Sequence, residues 1–176
     1  MEILIVGVVL VALMVFVSTK IKKSAAQAFE RETIDTEDFR ITKPEGFISP
    51  INENSRFAFE AYTKDSGKND AEEFRQAQAR LMVITDSDFE TVCENVKKSV
   101  GRVLSENFLE NAAVNQKHCF IESEEIKNNV KIISFWKIIK SIQKQKIYEL
   151  QVSVLENYRE EFQDRINEML ESFAVK

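Results

Sequence analysis

The chain has 176 residues, 30% of them charged and 44% apolar, the balance of a globular protein rather than a disordered one. Its formal charge is −5, and because residues 1–29 set Lys20, Lys22 and Lys23 against Glu2, the remainder carries −7. A domain that acidic lacks the broad positive field of a nucleic-acid binder, so no nucleic-acid partner is expected.

In chain order, the first element is apolar. Ile3 to Val17 is free of charge, and Ser18 and Thr19 extend the run. At ~1.5 Å per residue it reaches roughly 25 Å, a little short of the ~30 Å hydrocarbon core, and snorkelling by Lys20 and Lys22 closes the gap. A cleaved secretory signal is the rival. It needs a basic start, where this chain has Glu2, and small residues close behind the apolar run, where three lysines precede "SAAQA" at 24–28. Residues 1–29 are therefore expected to be an uncleaved transmembrane anchor with a helical extension. Positive residues near a span stay in the cytoplasm, and here they all follow it, so the expected topology is single-pass with a cytoplasmic domain.

Residues 30–37, "ERETIDTE", are polar and acidic and are expected to be a linker to a domain over 38–176. "DFRITKPEGFISPI" at 38–51 alternates at Phe39 and Ile41 and predicts a short strand ended by Pro44 and a Glu45-Gly46 turn. "SRFAFEAYTK" at 55–64 alternates likewise, and "KDSGKND" at 64–70 is expected to be a loop. Residues 71–86 open with helix-forming types and end in "ARLMVIT", a strand pattern.

Residues 87–109 predict an amphipathic helix. Ser87 with Glu90 fits a capping box, and Phe89, Val92, Cys93, Val96, Val100, Val103, Leu104 and Phe108 fall on one stripe. Three strands follow at 116–126, 130–140 and 146–154, the first two joined by "KNN" at 127–129, and together they predict an antiparallel meander. "VKIISFWKIIK" is apolar on both faces and must be covered on both. A second amphipathic helix at 157–173 carries Tyr158, Phe162, Ile166, Met169, Leu170 and Phe173. Two apolar helix stripes and a doubly apolar strand are satisfied together by a mainly antiparallel sheet flanked by two helices. The expected fold is α+β: a transmembrane helix followed by an α/β/α sandwich.

"FRITKPEGF", the helix after "ITDSDFE", "KIYELQVSV" and the closing "YREEF…INEMLESFAV" resemble the PsbP-like family of α/β/α sandwich domains, which includes bacterial DcrB-like proteins. The resemblance spans roughly residues 38–175 and implies a binding, assembly or chaperone-type module rather than an enzyme. It carries over no functional residue. The chain departs from the family's many lipid-anchored members in having no lipobox cysteine.

No residue pattern argues for catalysis or a cofactor. His118 is the sole histidine, and its neighbour Cys119 points to the other face of a strand, out of reach of the imidazole. One histidine with Cys93 and Cys119 does not make the usual zinc sites, and the two cysteines read as free, buried thiols, although an oxidising compartment would permit a bridge between them. "TDSDFE" lacks the glycine and distal glutamate of an EF-hand loop, and its acids suit the first turn of a helix. The scattered glycines form no phosphate-binding loop. "KIIKSIQKQK" at 137–146 presents Lys137, Lys140, Lys144 and Lys146, which read either as a solvated hairpin or as contacts to anionic lipid headgroups beside the tether. The function expected is a membrane-anchored, non-enzymatic domain that binds a protein partner. The alternative is a carrier of an apolar ligand or segment held between sheet and helix, walled by Phe135, Trp136 and the nearby isoleucines. A hydrolase would need converging buried carboxylates with raised pKa values.

Overall fold

The computed structural model describes residues 13–20, 26–50, 55–63, 65–69 and 72–176, with backbone alone at 65–69 and 72–74. Most of the apolar opening lies outside the described residues. Residues 13–20 are helical and exposed, and among the described residues no helix is long and apolar enough to cross a membrane.

The architecture is α+β, and among the described residues every strand pair is antiparallel. A six-stranded sheet runs in the order β3 (Phe59–Tyr62), β6 (Ala77–Ile84), β10 (Lys146–Leu155), β9 (Val130–Ser141), β8 (Gln116–Lys127) and β7 (Arg102–Asn111). A three-stranded sheet joins β1 (Glu32–Asp35), β2 (Phe39–Lys43) and β11 (Ala174–Val175), and β4 (Asp65–Asn69) pairs with β5 (Glu72–Arg75). The helices are α1 (Phe89–Ser99) and α2 (Arg159–Ser172), the latter preceded by a 3-10 turn at Glu156–Tyr158.

The expected meander is present. β8 and β9 turn through Asn128 and Asn129 at φ 50° and 62°, a two-residue connection whose twist suits a hairpin and which asparagine tolerates. β9 divides its side chains as alternation requires. Ile133 and Ile139 join one buried cluster and Ile138 joins the other. The first cluster unites Tyr148, Leu150 and Val152 of β10 with Phe162, Ile166 and Met169 of α2 and with Phe39 and Ile41 of β2. The second unites Phe89, Val92, Cys93 and Val96 of α1 with Cys119, Ile121, Ile138 and Ile147. The large sheet thus has α2 on one face and α1 on the other. Each fully buried aliphatic or aromatic side chain contributes about 1.5–3 kcal/mol, so the two layers dominate stability.

Five expectations change. Residues 32–35, expected within a linker, pair with β2 over Glu32↔Lys43 to Asp35↔Arg40. Residues 65–69, expected as a loop, form β4. Residues 72–75 are strand, not helix. The helix expected over 87–109 stops at Ser99, and Val100 is already extended at φ −95° and ψ 158°. Residues 102–111 then form β7, so Val103, Leu104 and Phe108 belong to a strand rather than to the helical stripe. The cap also differs: Asp88, not Ser87, is the N-cap, its carboxylate accepting the Thr91 N–H at 3.2 Å.

Candidate binding surface

β7 is the last strand of the six-stranded sheet and, among the described residues, pairs only with β8, so its outer row of backbone N–H and C=O groups has no strand partner there. Gly101 lets it start where it does. A Cβ there would meet the Glu124 carbonyl oxygen at 3.0 Å, so a side chain at this point would crowd the backbone where it leaves α1 and settles against β8. The strand bulges between Val103 and Ser105, then stays in register to Asn111↔Gln116.

What β7 offers is apolar. Phe108 is 51% exposed, Leu109 55%, and Val114 in the following turn 53%. Phe108 stands opposite Cys119, on the α1 face, and Leu109 stands opposite His118, on the other. The Lys97 ammonium lies 5.9 Å from the Phe108 ring and bonds Glu106 at 2.9 Å and Glu94 at 2.5 Å, and those two hydrogen bonds raise its pKa. Behind Leu109, the His118 ring stacks on Phe120. Its Nε2 is buried with no partner among the described residues, and burial, then Lys137, lower its pKa, so it rests neutral. The surface therefore combines an open edge, apolar side chains on both faces and a few charges: Arg102 at the start of the strand, paired with Glu124, then Glu106, Glu110 and the paired Lys97.

The four lysines expected as a headgroup patch are dispersed. Lys137 is buried on the α2 face, where its ammonium donates to the carbonyls of Leu170 at 2.6 Å and Phe173 at 2.8 Å. There it caps the C-terminus of α2, with burial lowering its pKa, and it cannot reach a headgroup. Lys140 is half-buried beside a cleft of about 470 Å³ shared with Asp86, Ser87, Asp88, Ile142 and Gln145. Lys144 and Lys146 both bind Asp38 at 2.8 Å.

The remaining candidates are equally scattered. Cys93 and Cys119 meet on the α1 face, away from His118. Among the described residues no group of three or more His, Cys, Asp or Glu side chains could hold a metal ion. Burial raises the pKa of Glu149, but the other carboxylates with shifted values are lowered, so among the described residues no converging raised pair forms. Phe135 and Trp136 pack against opposite clusters, and Trp136 Nε1 donates to Ser123 at 3.3 Å. Both are partly buried, each packed against its own cluster. A second cleft, of about 510 Å³, has a mixed lining that includes Phe29, Gln76, Glu161 and Arg165.

No family model matches the chain, and no curated protein matches it. Solved structures do. The Saccharomyces cerevisiae Ran-binding protein Mog1p superposes with a TM-score of 0.53 at 11% identity, over 84% of this chain and 96% of that one. LpqN of Mycobacterium tuberculosis, involved in cell envelope biogenesis, gives 0.55 at 12% identity, over 84% and 91%. The cyanobacterial PsbP of Synechocystis gives 0.50 at 10% identity, over 84% and 92%. The chain has a PsbP/Mog1-like fold. At such identities the likeness is one of fold, and these three structures do not single out a DcrB-like branch.

Proposed function

We propose that the chain is a membrane-anchored, non-enzymatic binding domain that takes up an extended segment of a protein partner along β7. The observation that carries this is the unpaired edge of β7 with Phe108 and Leu109 more than half exposed on its two faces. An added strand would satisfy the open backbone groups and cover both side chains at once. The kinship in fold to a Ran-binding protein supports protein binding as the use, without naming the partner. The apolar run Ile3 to Val17, followed by Lys20, Lys22 and Lys23, supports the anchor and a cytoplasmic domain. Contact with anionic headgroups is left to Lys140, Lys144 and Lys146 as an auxiliary role.

The test is affinity capture by the full-length, membrane-embedded protein and by its Phe108→Lys/Leu109→Lys variant. Both positions are exposed, so the variant should fold with stability near that of the parent. A protein recovered by the parent and lost by the variant supports the proposal. Equal recovery by both, or recovery of lipid alone, overturns it.

A further inference from the structure

Cys93 on α1 and Cys119 on β8 lie in one apolar cluster, 1% and 0% exposed, and both are free thiols. Their side chains interact, and that interaction is the largest cause that raises the Cys93 pKa and lowers that of Cys119. Such contact between a helix and the sheet beneath it is not required for packing, since Val92, Val96, Ile121 and Ile138 fill the same layer with side chains that carry no reactive group. A disulfide needs two cysteines brought side by side, and this one cluster brings the pair together from two elements distant in sequence.

We propose that Cys93 and Cys119 are a latent disulfide site, closed by exchange with a low-molecular-weight disulfide and stapling α1 to the sheet behind Phe108. The exchange has two steps. The Cys119 thiol gives up its proton and attacks one sulfur of the small disulfide, the S–S bond breaks, and the small thiolate that leaves takes up that proton. Cys93 then attacks the Cys119 sulfur of the mixed disulfide, gives its proton to the second departing thiolate, and completes the internal bond. Two protein thiols are oxidised, and the small disulfide is reduced to two thiols. Because both sulfurs are buried, α1 must lift from the sheet for the first step, so the reaction is slow and paced by that local opening. The bond closes a loop of 25 intervening residues and constrains the unfolded chain. Cys119 lies opposite Phe108 in the β7–β8 register, so the staple fixes the layer on which the exposed edge rests. This site stands independently of any binding partner at that edge.

The test exposes the full chain, folded in detergent, to oxidised glutathione, then blocks residual thiols and identifies linked peptides by mass spectrometry. The parent should yield a Cys93–Cys119 linkage. Cys93→Ser and Cys119→Ser should yield none and stop at a mixed disulfide with glutathione. The oxidised parent should melt roughly 5–10 °C above the reduced form. Retention of both thiols by the folded parent, while the same chain cross-links in urea, would overturn the proposal. So would a linkage that lowers the melting temperature, since it would show that the folded geometry does not accommodate the bond.

Discussion

Asp38 sits between β1 and β2, and two ammonium groups from the β9–β10 hairpin converge on it: Lys144 on one carboxylate oxygen and Lys146 on the other. The hydrogen bonds from Lys144, then Lys146, pull its pKa from 3.8 down to about 2. A carboxyl whose folded pKa is depressed contributes stability above its unfolded value and loses it as the pH falls through the folded one. The window is thus about pH 4 down to about pH 2. With about a third of the Asp38 side chain exposed, solvent screening discounts the gain to about 1 kcal/mol. Asp38→Asn should therefore cost about 1 kcal/mol in urea unfolding at pH 7, and the difference from the parent should shrink as the pH is lowered through that window. A difference that stays constant from pH 7 to pH 2.5 would show that the carboxylate charge plays no part. The sequence shows Lys137, Lys140, Lys144 and Lys146 as one basic run because spacing reports neither burial nor partner. Strand alternation puts Lys137 and Lys140 on opposite faces, and the hairpin carries Lys144 and Lys146 to an aspartate more than a hundred residues earlier in the chain.

At the scale of elements, the α1–β7 junction governs the candidate surface. Phe89, Val92, Cys93 and Val96 mark a helical stripe in the sequence, and the structure buries all four. Val100, Leu104 and Phe108 continue the same spacing by coincidence, because residues four apart share a face in a strand as well as in a helix. The discriminating signals were Gly101 and the dense β-branched residues around it, both unfavourable inside a helix. Gly101→Val should cost about 1–3 kcal/mol, because its Cβ would press on the Glu124 carbonyl oxygen at 3.0 Å and the Glu125 Cα at 3.4 Å. Chemical denaturation measures that loss. Amide hydrogen exchange should place the weakened protection in the first residues of β7 and in their partners on β8, while α2 stays protected. Uniform weakening, or none, would show that the close approach at Gly101 does not set the start of the edge strand. Residues 32–35 were illegible for a different reason: "ETID" is polar and becomes a strand only because β2 lies beside it.

At the scale of the molecule, the meander and both amphipathic helices were legible because each depends on local periodicity, whereas the identity of the sheet's edges was not. The order β3-β6-β10-β9-β8-β7 follows neighbours in sequence only from β7 to β10 and then joins β6 and β3 through long-range pairing. Which strand is left open, and hence where a partner can add, is decided by that pairing. The orientation of the whole domain is a question of the same scale, and the fold makes it testable. Both native thiols are buried, while the Glu32 side chain on the outer strand β1 is 59% exposed. In Glu32→Cys, then, a maleimide that cannot cross membranes reads position 32 alone as long as the domain is folded. With Lys20, Lys22 and Lys23 following the apolar run, intact cells should leave Cys-substituted position 32 unlabelled, and permeabilised cells should label it fully. Labelling in intact cells would place the domain outside. It would also place Cys93 and Cys119 in an oxidising compartment, so the two measurements constrain each other: an exported domain should carry the linkage already formed, and a cytoplasmic one should be isolated with both thiols free.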